Sequence, residues 1–453
     1  MKKGSLAILC GMLIASYTVA DDWPQFRGPD RTGVSKEKGL LKAWPKGGPK
    51  LAWTYKDAGL GFSSFAVAKG VVYTLGTDLA FDAKGLAFDG KGLALAKDEY
   101  VIAIDEKTGK ELWRTRIGIL YTYKGNFYGD GPRSTPTVDG DFLYALGGQA
   151  DLVCLDIANK GKEVWRKNLE KDLGGVIMDK YGWSESPLVD GKHLICTPGG
   201  PKGTLAALDK TNGNVIWRSA GLTNNAPFSS MVVADIHGVR QYIQTSYHDK
   251  PGDIHGEVSG ISAANGKVLW TQTIFTNSND GISASPVVAG NQVYVTAGFG
   301  GGCHLFEIAK GQTATEKFSK AMQKKVKNTH GGVVLIDGHI YGHSEPGMWV
   351  CQNLESGKVV WDERQTLSCK SGVVTAAEGM LYFYTDDGEV GLVAADPDPA
   401  GMKLISSFTP PQKSAIPGNG TSRQSRIWAY PVVANGHLYL RDHEYVFAFK
   451  ITP

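Results

Sequence analysis

The chain has 453 residues, with 48 Lys and Arg against 45 Asp and Glu and a formal charge of +3. That near-balance leaves nucleic-acid binding without electrostatic support, since phosphate recognition draws on a basic face. Six cysteines with no CxxC spacing and no adjacent pair argue against a disulfide framework or a zinc site.

At the start, Lys2-Lys3 precede an apolar run from Leu6 to Val19, and Thr18-Val19-Ala20 supplies small residues before Asp21. This reads as a secretory signal over residues 1–20, cleaved after Ala20. Leu9 before Cys10, after too short an apolar run, argues against a lipid anchor. Losing Lys2 and Lys3 leaves 46 basic residues against 45 acidic. No later apolar run approaches about 18 residues, so the mature chain is predicted to be periplasmic or secreted and not membrane-spanning. Cys154, Cys196, Cys303, Cys351 and Cys369 then suit buried strand positions.

Residues 21–49 hold Trp23-Pro24-Gln25-Phe26-Arg27-Gly28-Pro29, then glycines and prolines with no sustained period. They read as an extended strap over a single folded body, residues 50–453. Leu51-Ala52-Trp53-Thr54-Tyr55 looks like the tail of a repeat whose head is missing. Between Val71-Val72-Tyr73 and Tyr100 lies an insertion, Asp78 to Lys97, that nearly repeats itself from Leu79 to Ala94 and is read as a surface loop.

Ala103 to Trp113, AIDEKTGKELW, sets the pattern for everything downstream. An apolar strand ending in Asp105 meets a Thr108-Gly109 turn, and Glu111-Leu112-Trp113 starts a returning strand. The indole is too large for one sheet to bury and needs a second sheet stacked on the first. Variants close at Trp165, Trp217, Trp270 and Trp361, while the fifth unit has lost its tryptophan and uses Phe318. The seventh is the weakest, with Ala394-Ala395-Asp396 followed by a strand near Leu404 to Phe408. The eighth stops at Ala448-Phe449-Lys450, and its exit strand is the early one at Trp53. Hairpin centres at Tyr73, Tyr144, Ile195, Tyr242, Tyr294, Tyr341, Tyr382 and Tyr439 count the same units independently. The prediction is all-β: an eight-bladed β-propeller closed by its N-terminal strand, with seven blades as the alternative.

The A-x-D-x-x-T-G-K-x-x-W pattern, met in full by Ala103 to Trp113, resembles the tryptophan-docking motif of quinoprotein dehydrogenase propellers and of the outer-membrane assembly scaffold BamB. The Trp23 to Gly28 start, GPRSTPTVDGDFLYALG from Gly131, HGG at His330 and LYLRD near the end are similar to exported PQQ-like propeller proteins abundant in planctomycetes. The dehydrogenase resemblance implies pyrroloquinoline quinone (PQQ) in the funnel, between a tryptophan and a disulfide of adjacent cysteines, beside a calcium held by carboxylates and amides. Adjacent cysteines are missing here, and Asp249 to Asp253 and Asp386 to Glu389 read as hairpin tips rather than calcium ligands. No cofactor is therefore expected. The function read from the sequence is a binding or scaffold protein acting through its funnel face on a protein partner or a small polar or anionic ligand. A PQQ-dependent dehydrogenase of alcohols or sugars, with calcium, is the alternative.

Counting about eleven residues back from each hairpin centre gives the innermost strand starts, which radial symmetry gathers around the axis. They are Phe62, Arg133, Ser184, Ser283, His330, Ser371 and Trp428, with Phe228 or Ser229 in blade four. Trp183, Glu185, Asp280, Lys370 and Arg426 sit beside them in sequence. The candidate ligand-binding set is Arg133, Trp183, Glu185, His330, Lys370, Arg426 and Trp428. Glu185 and Lys370, one position off the ring, carry an alternative reading, that they point between blades, because facing alternates along a strand, while Trp183 and Trp428 read as flat apolar walls of the site. His248 and His255 in a blade-four loop read as solvated side chains rather than metal ligands, and Lys310 to Lys327 as a solvated face.

Overall fold

The Ala103–Trp113 hairpin shows how one short motif generates a ring. Asp105 Oδ1 accepts from the Thr108 amide at 2.8 Å and its hydroxyl at 2.6 Å, which closes the tip. Gly109 follows at a φ of 69°, a left-handed conformation that favours glycine. A side chain there would also collide with Trp53, whose ring lies 2.6 Å from where a Cβ would be. The Trp53 indole N–H donates to Glu106 O at 2.8 Å. Trp53 belongs to a different sheet, so the turn of one sheet is covered by the aromatic leaving its neighbour. Trp113 covers Gly161, Trp165 covers Gly213, Trp217 covers Gly266 and Phe318 covers Gly357 in the same way. Trp270 departs from the pattern: its N–H donates to Gln241 Oε1 of its own sheet at 2.8 Å.

The computed structural model describes residues 22–78, 95–122, 130–179, 181–276, 282–414 and 426–453. The predicted signal segment and residues 79–94 of the predicted insertion lie outside the described residues. Eight antiparallel sheets follow one another along the chain, and the one α-helix among the described residues is Lys320–Gln323. Blade 1 comprises Ala66–Ala68, Val71–Thr77, Asp98–Asp105 and Glu111–Ile119. Blade 2 runs from Thr137–Asp139 to Lys162–Asn168, and blade 3 from Leu188–Asp190 to Val215–Arg218. Blade 4 has the long strands Val239–Lys250 and Asp253–Ser262 between Val232–Ile236 and Val268–Thr276. Blade 5 runs from Val287–Ala289 to Ala314–Glu316, and blade 6 from Val333–Ile336 to Val359–Glu363. Blade 7 runs from Gly372–Ala377 to Leu404–Phe408, so the weakest repeat is a complete sheet and the count is eight.

Blade 8 is assembled from both ends of the chain. Lys50–Tyr55 pairs antiparallel with Tyr445–Lys450, Trp53 standing opposite Ala448, and completes the sheet begun by Val432–Ala434 and His437–Asp442. Closure removes two free sheet edges that would otherwise invite association.

The strap is threaded across the inner strands. Trp23 exchanges two backbone hydrogen bonds of 2.8 Å with Val67 of blade 1, and Pro24 O accepts from Val138 of blade 2 at 2.7 Å. Arg27 reaches Val333 O of blade 6. Arg31 donates to Met231 O at 2.9 Å, Ser186 O at 3.0 Å and Pro187 O, spanning blades 3 and 4. Val34–Ser35 then adds a parallel strand to blade 7. Farther on, Trp44 packs edge-on against Phe408 at 5.1 Å and lies 6.1 Å from Tyr382, supplying an indole to blade 7, whose own strands carry none. The five described cysteines are free and buried.

Candidate functional site

Strand alternation decides which residues meet at the axis. The innermost strands are short, and the segments leading into them converge on a cavity of about 430 Å³. Phe62, Arg133, Ser184, Phe228, Ser283, His330 and Trp428 all line it, whereas Ser371 does not. Ser371 instead accepts the Trp428 indole N–H at 3.0 Å. In blade 4 the cavity takes Phe228, and Ser229 turns into the sheet toward Thr245. Two residues farther along, Ser64, Thr135, Ser230 and Tyr430 line the same cavity, as the two-residue period of a strand requires.

One wall is aromatic. The His330 imidazole stacks on the Trp428 indole at 4.1 Å and 7°, and Phe62 leans against the same indole at 5.0 Å. The Arg133 guanidinium lies over Phe62 at 5.3 Å, and that of Arg426 over Trp428 at 5.3 Å. Such cation–π contacts hold a flat charged group beside a flat apolar one. Arg133 is further oriented by the carbonyls of Tyr181 at 3.1 Å and Gly131 at 3.3 Å. Tyr181 sits edge-on to Phe228 at 5.9 Å across the mouth. Burial, reinforced by Arg426, Arg133 and His343, pushes His330 down to about 3, so its imidazole is neutral at physiological pH. Fixed positive charge at the wall therefore comes from Arg133 and Arg426.

The strap supplies the floor. Phe26 lines the cavity and meets Tyr430 edge-on at 5.3 Å, with the Arg27 guanidinium 5.5 Å from the Tyr430 ring.

Four residues predicted at the funnel rim do not line the cavity, three of them pointing elsewhere. Trp183 is buried between blades 2 and 3 with Tyr144, Leu152 and Leu194. Glu185 is 1% exposed; it accepts the Thr197 amide and faces the strap's Arg31. Lys370 is exposed outside the lining, its amide donating to Asp386 Oδ1 at 3.2 Å. Each stands one residue off a ring position, so the pleat turns it away from the axis. Arg426 does not line the cavity but lies over Trp428 and acts electrostatically on His330. Asp280 lies outside the described residues.

The sequence reading missed Phe26 and Tyr430, and also Met178, Asp179, Tyr181 and Phe299, which enter from loops. Extending the ring positions by two residues would have found Ser64, Thr135, Ser230 and Tyr430. Loop residues carry no register from which to count.

The geometry has counterparts among known proteins. A family model described as outer membrane protein assembly factor BamB matches residues 97–363, more than half of the chain. The outer membrane protein assembly factor BamB of Yersinia pestis is 22% identical over 351 residues, covering 74% of this chain and 76% of that protein. Among solved structures, BamB from Moraxella catarrhalis superposes with a TM-score of 0.57 at 13% identity, over 89% of this chain and 99% of that one. Quinohemoprotein alcohol dehydrogenase from Comamonas testosteroni gives a TM-score of 0.64 at 14% identity, over 96% of this chain and 82% of that one. At these identities the two structures establish a common fold.

Proposed function

Because the chain belongs to the family described as outer membrane protein assembly factor BamB, a PQQ-like propeller family, we propose that it is an exported binding or scaffold protein working through its funnel face. The observation that carries this reading is the cavity itself. It is concave, mostly apolar and walled by a His330–Trp428–Phe62 stack, with Arg133 placed to receive a negative group and serine hydroxyls around the rest. A flat anionic or polar group, free or carried on a protein partner, matches that set. Export to the periplasm or beyond fits the N-terminal segment read as a secretory signal and the assembly-factor relatives.

The likeness to a quinohemoprotein dehydrogenase raises PQQ with calcium as the second reading, and the donor set speaks against it. Among the described lining residues Asp179 is the single carboxylate, and no amide side chain or cysteine is present. A calcium ion takes six to eight oxygen ligands, and this lining offers too few side-chain oxygens of the right kind. The aromatic wall suits a flat ring, but it suits many flat rings.

The test uses aromatic carboxylates as probes, followed by tryptophan fluorescence. Arg133→Ala and His330→Ala should each weaken binding by at least about tenfold, the loss of roughly one charge-assisted contact. Lys324→Ala and Lys370→Ala should bind like wild type. Binding should be flat between pH 5 and 8, because His330, held near 3, gains no proton there. Equal binding by all four variants would move the working surface to the outer loops. Saturable uptake of quinone plus calcium at micromolar concentration, with dye-linked oxidation of alcohols or sugars, would replace this reading with the dehydrogenase.

A further inference from the structure

We propose that the long hairpin of blade 4 carries a divalent-cation site of the zinc class, formed by His248, His255 and Asp253. Val239–Lys250 and Asp253–Ser262 turn through Pro251-Gly252, and their register sets His248 directly opposite His255. The two imidazoles are stacked at 4.5 Å and 19°. Both rings are largely shielded, at 15% and 14% side-chain exposure, so they are not the solvated loop groups that their sequence context predicts.

Each ring is held by one nitrogen and offers the other. Asn224 Oδ1 holds His248 Nδ1 at 3.1 Å, and Glu257 Oε1 holds His255 Nε2 at 2.9 Å. Glu257 is fixed in turn, its second oxygen accepting from Asn224 Nδ2 at 2.6 Å. The remaining nitrogens converge on one carboxylate: His255 Nδ1 lies 2.9 Å from Asp253 Oδ1, and His248 Nε2 lies 3.3 Å from Asp253 Oδ2. The second of these contacts lacks hydrogen-bond geometry, which leaves His248 Nε2 buried without a partner atom of that kind. Outer carboxylate and amide groups that fix the tautomer of an imidazole are the usual support of a metal-ligating histidine.

Charge counting leads to the same place. His255 lies between two carboxylates, yet a neutral imidazole has a single N–H to give. Among the described residues neither Asp253 nor Glu257 is ion-paired with a lysine or arginine. A cation among His248 Nε2, His255 Nδ1 and Asp253 satisfies all of these groups at once. The three donor atoms lie within 4.8 Å of one another. Ligand bonds of about 2.0–2.1 Å around a tetrahedral zinc place donors roughly 3.4 Å apart, so small side-chain rotations suffice. Two imidazoles favour zinc, copper or nickel over calcium and magnesium. Three protein donors leave at least one position of a four-coordinate ion to water or an incoming ligand. The hairpin extends past its inner partner Val232 on the side where the inner strands begin, so the ion would tie its two strands together beside the funnel mouth.

The experiment uses the whole mature protein, stripped with chelator, and Zn²⁺ alone as the probe in titration calorimetry. One saturable equivalent per chain is expected, with no comparable heat from Ca²⁺ or Mg²⁺, and Co²⁺ should give the visible bands of a four-coordinate ion. His248→Ala and His255→Ala should each weaken Zn²⁺ binding more than about tenfold, and Glu257→Gln by about tenfold through its hold on His255. Asp253→Asn, at the exposed hairpin tip, should also weaken binding while keeping the wild-type melting temperature, and His339→Ala should bind like wild type. Absence of a saturable equivalent, unchanged affinity in the His248, His255 and Asp253 variants, or an equal loss in His339→Ala would overturn the proposal.

Discussion

At the outer edge of the ring one contact is repeated from blade to blade, Trp113 over Gly161 and Trp165 over Gly213, whereas at the axis Arg27 and Arg31 hold unlike strands through bonds that each occur once. The edge is apolar and redundant, so losing one contact leaves its copies in place. The strap's contacts at the axis are polar and singular. Arg31 is 3% exposed and drawn down to about 9 by burial, with Glu185 as its counter-charge. Glu185 is pushed up to about 7 by the same burial, against the pull of the Thr197 bonds and Arg31. A buried pair of this kind adds little net stability while complete and costs much when halved. Repetition therefore builds the ring, and the singular contacts fix what closes its floor.

The largest way to break this comparison removes both regions together. Deleting the chain through Tyr55 takes away the closing strand of blade 8 and the axial strap, exposing sheet edges. The expected product is an aggregating chain with no cooperative melt, read by size-exclusion chromatography and thermal unfolding. A monomer with unchanged melting temperature would show that neither closure nor strap matters to the ring.

Next comes the axis against the edge. Arg31→Ala should destabilise by about 3–5 kcal/mol, since it leaves Glu185 buried without its counter-charge and three carbonyls without donors. Trp165→Ala, at a half-buried edge position, should cost about 2 kcal/mol. Denaturant melts measure both, and a larger cost at Trp165 would reverse the assignment.

The smallest effect is on the shape of the pH profile. With its carboxyl at about 7 rather than the ordinary 4.5, Glu185 binds more protons in the native than in the unfolded state between those values. Its contribution to stability is therefore greatest at the acid end of the window and falls as pH rises through it. Glu185→Gln should lose that fall, seen as a flatter line of melting temperature against pH from 4.5 to 7. An unchanged slope would place the titration elsewhere.

What the sequence determined by itself was the ring. Turn glycines, exit aromatics and the orphan strand at Trp53 are local signals repeated along the chain, and repetition makes even a degenerate copy such as Leu404–Phe408 readable. Counting back from the hairpin centres also located Arg133, His330 and Trp428 at the cavity, because a strand carries its register with it. Tertiary structure alone decided the rest. Glu185 and Trp183 were adjacent to the ring in sequence and turned away by the pleat; Phe26 was distant from it and brought beneath it by a strap with no period to read. His248 and His255 looked like solvated loop residues until the pairing of two long strands set them face to face. Where neighbours in space are neighbours in a repeat, the sequence names them; where a non-repeating segment or a loop supplies the neighbour, only the folded chain does.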